Sequence, residues 1–209
     1  SIKNKNIVKL GSHPLIAYSI QAALLCKEIT DVYVTTDSNK IADIANYYGA
    51  KTPFLRPENI SKDTSLDIDF FKHFINFLKS KNKNIPELIV HLSPTVPLRE
   101  KNIISKAIKY LLAHPKATSL RSVNKINLTP YKLFKEDKYY LKGFFKNIKS
   151  EYYNFPRQNF PDTFLPNGHV DIIKTKFIRP YNLHGGKILS FKTKNVVDID
   201  TKEDLYEAT

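Results

Sequence analysis

The stretch DVYVTTDSNKIADIANYYGA, residues 31–50, decides the fold class. Its first half, Val32 to Thr36, is a run of β-branched and aromatic residues ending at Asp37, and it predicts a buried strand. Its second half predicts a helix. Ser38 is a suitable N-cap, Ile41, Ile44, Ala45 and Tyr48 share one face, and Gly49 is a suitable C′ stop. The same alternation extends on both sides. HPLIAYSIQAALLC (13–26) has apolar residues at helical spacing, with Pro14 at a first helical position. KTPFL (51–55) is a short strand candidate. LDIDFFKHFINFL (66–78) sets Phe71, Phe74, Ile75 and Leu78 in one stripe, which reads as core packing. ELIVHL (87–92) and ATSLRSV (117–123) read as strands. Between them, EKNIISKAIKYLL (100–112) has a helical face of Ile104, Ala107, Ile108, Leu111 and Leu112. Residues 7–123 therefore predict an α/β fold with a mostly parallel sheet flanked by helices. Such sheets bind ligands at the carboxyl ends of their strands. TTDS (35–38), SPTVPLR (93–99) and SVNKIN (122–127) fall there.

From 126 to 166 the texture changes to aromatics, prolines and lysines without helical period. KEDKYYLKGFF within it suggests a hairpin with a polar turn at Glu136–Asp137–Lys138. Aromatic residues among basic ones can stack bases or form a dimer surface. Order returns with GHVDIIKT (168–175), GKILSF (186–191) and NVVDID (195–200) as expected strands. TKEDLYEAT then opens a helix with Thr201 and Asp204 at capping-box spacing. The expected organisation is a core of 1–125 and 167–209, with 126–166 as an extension.

The chain has 209 residues and 42% apolar content, enough for one α/β domain with a small appendage. No apolar run approaches a membrane span, and no charged-then-apolar leader is visible. Cys26, the single cysteine, lies in an apolar helical stretch and reads as a core thiol. These features lead us to expect a cytoplasmic protein. Lys and Arg exceed Asp and Glu by 33 to 20, giving +13. That excess could serve nucleic acid, an acidic membrane or an anionic small substrate. The lysines are scattered, as in KSKNKN (79–84), which favours a solvated face over a nucleic-acid footprint. The sequence contains no Met, so an N-terminal part is expected to be missing.

The residue pattern with most chemical content is VVDIDTKEDL (196–205). Asp198 and Asp200 sit one residue apart in an apolar run. Charge inside an apolar strand is costly unless neutralised. Side chains at i and i+2 of a strand face the same way, so the pair could hold a divalent ion through hard oxygen ligands. Alternatively Asp200 caps the helix and Asp198 pairs with a lysine. In SPTVPLR, two prolines stiffen a strand-to-helix loop in which Thr95 can donate a hydrogen bond, or which is simply a rigid connection; Arg99 reads equally as a structural ion pair or a substrate contact. Arg56 in FLRPENISKDTS (54–65) could contact a base or phosphate. Arg157 and Gln158 are pinned between prolines in NFPRQNFP (154–161), where an arginine could capture a carboxylate. Each arginine, taken alone, also reads as an ordinary surface residue.

The order of these segments carries more than any one of them. KNIVKLGSHPLIAYSIQAAL, VYVTTDSNKIADIANYYGAKTPFLRPENISKDTS, LSPTVPLR, PRQNFPDTFLPNGHVDI and VVDIDTKEDL together resemble the acylneuraminate cytidylyltransferase family, the CMP-sialic acid synthetases and their relatives. The resemblance covers nearly the whole chain. It implies a Rossmann-like core and a homodimer whose 126–166 segment is a dimerisation extension reaching into the partner subunit. It implies transfer of CMP from CTP to an α-keto sugar acid, sialic, legionaminic, pseudaminic or Kdo-like, with release of pyrophosphate. It implies Mg²⁺ on Asp198 and Asp200, and Lys5 and Asn6 at the end of a nucleotide loop. It further implies Arg56, Ser93 and Thr95 on the nucleotide side and Arg157, Gln158 and Asn167 on the sugar side. There are three departures. The family's opening strand and Gly-Gly-Ser-Lys-type loop are not in the sequence. Ser93 stands where many sialic acid enzymes have Gln. Asp171 stands where the sialic type has an aromatic residue. The rival readings are a non-catalytic nucleotide-binding dimer that lacks the phosphate loop, an RNA-binding domain and a cytidylyltransferase for a neutral sugar; the expectation is no nucleic acid partner and no membrane insertion.

Overall fold

A central sheet of four strands organises the computed structural model, which describes residues 2, 4–146, 148 and 151–208. In chain order the strands are β1 (Lys9–Leu10), β2 (His13–Pro14), β3 (Leu88–His91), β4 (Ser119–Ile126), β5 (Phe134–Asp137), β6 (Tyr140–Gly143), β7 (Thr163–Lys174) and β8 (Ile188–Lys192). The helices are α1 (Leu15–Leu24), α2 (Asn39–Tyr47), α3 (Asp67–Ser80), α4 (Ile103–Leu112) and α5 (Lys202–Glu207). The sheet order is β3-β7-β4-β8. β7 pairs antiparallel with β3 and with β4, whereas β4 and β8 are parallel. The expectation of a mostly parallel sheet is thus corrected to a mixed one. β3, β4 and β8 share a direction, and the long β7 is inserted against it.

Helices cover both faces. Ile103, Ile104, Ala107, Ile108 and Leu111 of α4 pack with Leu120, Val170 and Ile172 from the sheet. Cys26 belongs to this cluster, as its apolar context predicts, and burial pushes its thiol pKa up. α1 lies on the same side. Its Ile16 and Ile20 pack against Ala45 of α2 and against Val32 and Val34. On the opposite face the His91 ring meets Phe70 and Phe71 of α3.

Helix boundaries follow the expected chemistry. The Ser38 side chain caps α2 by accepting from the Ile41 amide, and Gly49 takes φ +94° just past its end. Thr201 and Asp204 form the predicted capping box. Pro14 sits at the N-cap of α1, one position earlier than predicted. The 134–143 hairpin forms, with its turn displaced onto Lys138 in left-handed conformation.

Two expected strands are not regular. NVVDID (195–200) forms no strand and belongs to no sheet. DVYVTTD is held by a single parallel bridge between Tyr33 and Lys51. Val34 donates to the Lys51 carbonyl, Lys51 to that of Val32, and Arg56 to that of Thr36. Those bonds take one edge of the run only.

Candidate functional site

The SPTVPLR loop leaves the carboxyl end of β3, and the pieces of the site gather around it. Thr95, Val96 and Pro97 are buried. The Ser93 and Thr95 hydroxyls are hydrogen-bonded at 2.7 Å. Arg99 turns back beneath the loop. Its Nε donates to the His169 carbonyl at 2.8 Å, Nη1 to Ser19 Oγ at 2.8 Å and Nη2 to the Ser93 carbonyl at 2.7 Å. All three acceptors are neutral. Burial lowers the Arg99 pKa to about 10, so the guanidinium stays charged at neutral pH. Neither sequence reading of Arg99 anticipated this: it makes no ion pair among the described residues, and it clamps α1, the loop and β7 together.

β7 meets the loop through a bulge. The β4–β7 register slips between Arg121 and Val123, leaving residues 167–170 out of step. Gly168 lies in this bulge at φ +65°, and a Cβ there would stand 3.4 Å from Ser93 Cβ and from Val96 Cγ2. Asn167 is held next to it by donating to Thr193 Oγ1 at 2.7 Å. His169, 1% exposed, sets its Nε2 against the Glu100 amide at 3.4 Å, and its Nδ1 has no partner among the described residues. Burial, reinforced by the Arg99 charge, lowers its pKa to about 4.

The aspartate pair reaches the same place. The Ile199 amide donates to the Thr95 carbonyl at 2.8 Å. Ile199 is fully buried against Leu10 and Leu15, while Asp198 and Asp200 are exposed. The alternation places both carboxylates on the side away from the core, as the i, i+2 spacing predicts. One premise is corrected: neither carboxylate lies within an apolar strand, so neither is desolvated. Asp200 does not cap α5, since Thr201 and Asp204 do. Instead its Oδ1 pairs with Lys5 Nζ. Asp198 has no hydrogen bond or ion pair among the described residues. Lys5 and Asn6 lie in a single 3-10 turn, Lys5–Ile7. Lys5, Thr95, Asp198 and Asp200 therefore form one cluster, with Ser93 and Asn167 beside it. Two exposed hard carboxylates on one side suit a cation that takes one or two protein ligands and completes its shell with water and phosphate.

Arg56 is stiffened by Nε donation to Ser61 Oγ at 3.0 Å and lies over the Phe70 ring. It lines, with Asn6, a cavity of about 970 Å³ that runs from the loop between Val32–Thr36 and β3. Arg157 and Gln158 lie apart from the aspartates within one copy of the chain. They line a second cavity of about 310 Å³ with Lys125, Asp162 and Thr163. Arg157 Nη2 donates to Asn127 Oδ1 at 3.2 Å.

Asp171 is 6% exposed and does not line that second cavity; its Oδ2 accepts from Arg121 Nε at 3.0 Å. It lies in register with His91 and Arg121, so a polar ladder crosses the sheet on the α3 side. Asp171 in place of an aromatic residue therefore reflects a change in the sheet's interior. The sequence reading missed this ladder and His169. Their signal was a polar residue in an apolar strand, at HVDII and LRSV.

The cytidylyltransferase family profile matches residues 1–157. An N-acylneuraminate cytidylyltransferase of Escherichia coli O18:K1:H7 is 30% identical over 206 residues, covering 97% of this chain and 47% of that protein. The chain thus spans about half the length of that relative. A pseudaminic acid cytidylyltransferase of Campylobacter jejuni serotype O:23/36 is 29% identical over 219 residues, covering 98% of this chain and 87% of that protein. Among solved structures, a CMP:2-keto-3-deoxy-manno-octonic acid synthetase complexed with CTP superposes with a TM-score of 0.68. It covers 99% of this chain and 90% of its own at 12% identity, a likeness of fold. Profile and relatives agree with the α/β architecture and the order of motifs: the chain belongs to the cytidylyltransferase family.

Proposed function

We propose that this protein transfers CMP from CTP to an α-keto sugar acid of the sialic, legionaminic, pseudaminic or Kdo-like class, releasing pyrophosphate. The observation that carries this reading is the Ile199–Thr95 backbone bond. It holds two exposed carboxylates and Lys5 against a stiff loop at the carboxyl end of the sheet. In the reaction the anomeric hydroxyl oxygen attacks the α-phosphorus, the bond from that phosphorus to the oxygen bridging to the β-phosphate breaks, pyrophosphate leaves, and the hydroxyl proton passes to solvent. Two anions must meet, so cationic groups around the phosphates set the rate. Asp198 and Asp200 would hold Mg²⁺, which when bound neutralises phosphate charge and polarises its oxygens. Lys5 turns from Asp200 to the leaving pyrophosphate. Arg99, a cation held by neutral acceptors, adds positive potential under the loop. Ser93 and Thr95 offer hydroxyls to the nucleotide, and Arg56 and Asn6 line its approach.

Arg157 and Gln158 bind the sugar carboxylate, and they do so across a homodimer. The 126–166 extension is unusually apolar outside. Tyr139 is 91% exposed, Tyr140 72% and Leu141 69%, with Phe134, Phe144 and Phe155 near them. A patch of that kind supports burial against a second copy. Cytoplasmic location fits a reaction on CTP, and no helix among the described residues is long and apolar enough to cross a membrane. The test is pyrophosphate release from CTP with a panel of α-keto sugar acids and Mg²⁺. Release with at least one acid and none with neutral sugars is the expected result. No release with any of them would end the proposal.

A further inference from the structure

The smaller cavity holds a carboxylate beside the very arginine proposed to capture one. Arg157 and Asp162 line it together with Lys125 and Thr129. A fixed carboxylate near a guanidinium competes with any carboxylate arriving from solution, because the forked pairing of the two groups is a favoured one. Yet Arg157 and Asp162 are not paired. Arg157 Nη2 donates to two neutral oxygens, Asn127 Oδ1 at 3.2 Å and the Ile126 carbonyl at 3.4 Å. Asp162 Oδ1 pairs instead with Lys125 Nζ at 2.7 Å.

The strand register accounts for this choice. Lys125 lies opposite Phe164 where β4 meets the start of β7. Asp162 stands two positions before Phe164, so the period of two brings it to the face that Lys125 occupies, as a diagonal neighbour. Arg157 comes from a separate 3-10 turn, Arg157–Asn159, and its fork reaches the end of β4. It is still within electrostatic reach. The Asp162 carboxyl is held below its usual pKa first by the Lys125 hydrogen bond, and further by the charges of Lys125, Lys192 and Arg157. The cavity also has a polar atom in need of a partner. Thr129 is 5% exposed, and its hydroxyl has no hydrogen-bond partner among the described residues. Buried hydroxyls of that kind are uncommon, and this one supports a polar occupant.

We infer that Lys125 is a positioning residue for sugar-acid capture: it holds Asp162 off Arg157 and so leaves the guanidinium free for the substrate carboxylate. The inference rests on the proposed role of Arg157 and goes beyond it by giving Lys125 and Asp162 opposed parts. Without Lys125, Asp162 turns to Arg157, and the substrate must displace it. Lys125 thus acts through Asp162, not by lending its own charge to the pocket. The two modes differ in whether the effect of Lys125 depends on the presence of Asp162. Both side chains are more than half exposed, 54% and 58%, so their substitution is expected to leave urea midpoints unchanged.

The test is a double-mutant cycle. The KM for the sugar acid is measured by pyrophosphate release in the wild type, Lys125→Met, Asp162→Asn and the double variant. Lys125→Met is expected to raise it about 5-fold, the weight of one exposed ion pair, with the KM for CTP unaltered. In the Asp162→Asn background the same substitution should change it by less than about 2-fold, since no competing carboxylate remains. Lys125→Arg keeps the pair and should match the wild type. A second readout does not use the reaction: modification of Arg157 by phenylglyoxal, followed by peptide mass mapping. Lys125→Met should slow it several-fold, and the double variant should restore it. Equal rises of KM in both backgrounds would overturn the inference, because Lys125 would then act as a bare charge. No rise, or equal modification rates in all forms, would overturn it too. Arg157→Ala tells the two failures apart. If it leaves the sugar-acid KM unaltered, the proposed role of Arg157 fails and the inference falls with it. If it raises that KM while the cycle shows no coupling, only the inference fails.

Discussion

Replacing Arg99 should loosen the site from beneath while leaving every proposed substrate contact in place. The guanidinium makes three hydrogen bonds, to the carbonyls of His169 and Ser93 and to the Ser19 hydroxyl. Bonds from a charged donor contribute about 1.5–3 kcal/mol each, so three unopposed would give about 4.5–9 kcal/mol. Two effects reduce that figure. The cation gives up water, which is the physical cause of its lowered pKa. The Ser93 carbonyl also keeps donors after the change, from Ser19 Oγ at 3.0 Å and from the Val96 amide at 3.3 Å. We therefore expect Arg99→Met, which preserves the stem's volume, to destabilise the fold by about 3 kcal/mol. With a urea slope of about 2 kcal/mol per molar, the unfolding midpoint falls by about 1.5 M. Arg99→Lys keeps the charge but not the fork, and should recover less than half of the loss. Because the clamp positions Ser93, the folded fraction of Arg99→Met should show a raised KM for CTP with a smaller change for the sugar acid. A loss under about 0.5 kcal/mol, or full recovery by lysine, would refute the reasoning, since this is the size of an ordinary surface change.

Asp198→Asn and Asp200→Asn should each lower turnover by about 100-fold or more, with urea midpoints unchanged because both side chains are exposed. Full turnover at limiting Mg²⁺ would remove the metal role. Arg157→Ala should raise KM for the sugar acid and leave that for CTP nearly unaltered; the reverse pattern would exchange the two pockets. His169 is neutral in the fold down to about pH 4, whereas unfolded histidine takes its proton near pH 6.5. Its contribution is complete above pH 6.5 and is lost as pH falls from there towards 4, a span of about 3.4 kcal/mol at most. His91 and His184, both lowered by burial, act in the same direction. Urea unfolding across pH 4–8 should show this slope reduced in His169→Gln, and an unchanged slope would deny His169 its part.

The helices were legible because their information is local. Ser38, Gly49 and the Thr201–Asp204 box each act within a turn of their own helix, and those ends lie where the residues direct. Sheet order was not legible, because an apolar run such as HVDII carries no mark of its partner's direction. β7 reads like its neighbours yet runs against them. The aspartate spacing survived for a simpler reason. Buried Ile199 fixes the phase, so both carboxylates face outward even though no sheet forms there. Arg99 could be read either way because its partners are two backbone carbonyls and a serine, scattered from residue 19 to residue 169.

The Lys5–Asp200 pair joins these observations into a single electrostatic argument. Lys5 lies in a turn at one end of the sequence and Asp200 near the other, so their pairing closes the site across the whole fold. Exposed pairs of this kind contribute little stability, about 0–1 kcal/mol. It is therefore cheap to break, and under the proposed reaction each partner would have a better alternative: the lysine a phosphate of CTP, the aspartate a divalent cation. The clamp below is the opposite case. Arg99 is held by three acceptors, and no ligand approaching from solvent can offer it a comparable exchange. Rigid charge beneath the loop and exchangeable charge above it are what positioning a polyanion at the carboxyl edge of this sheet requires.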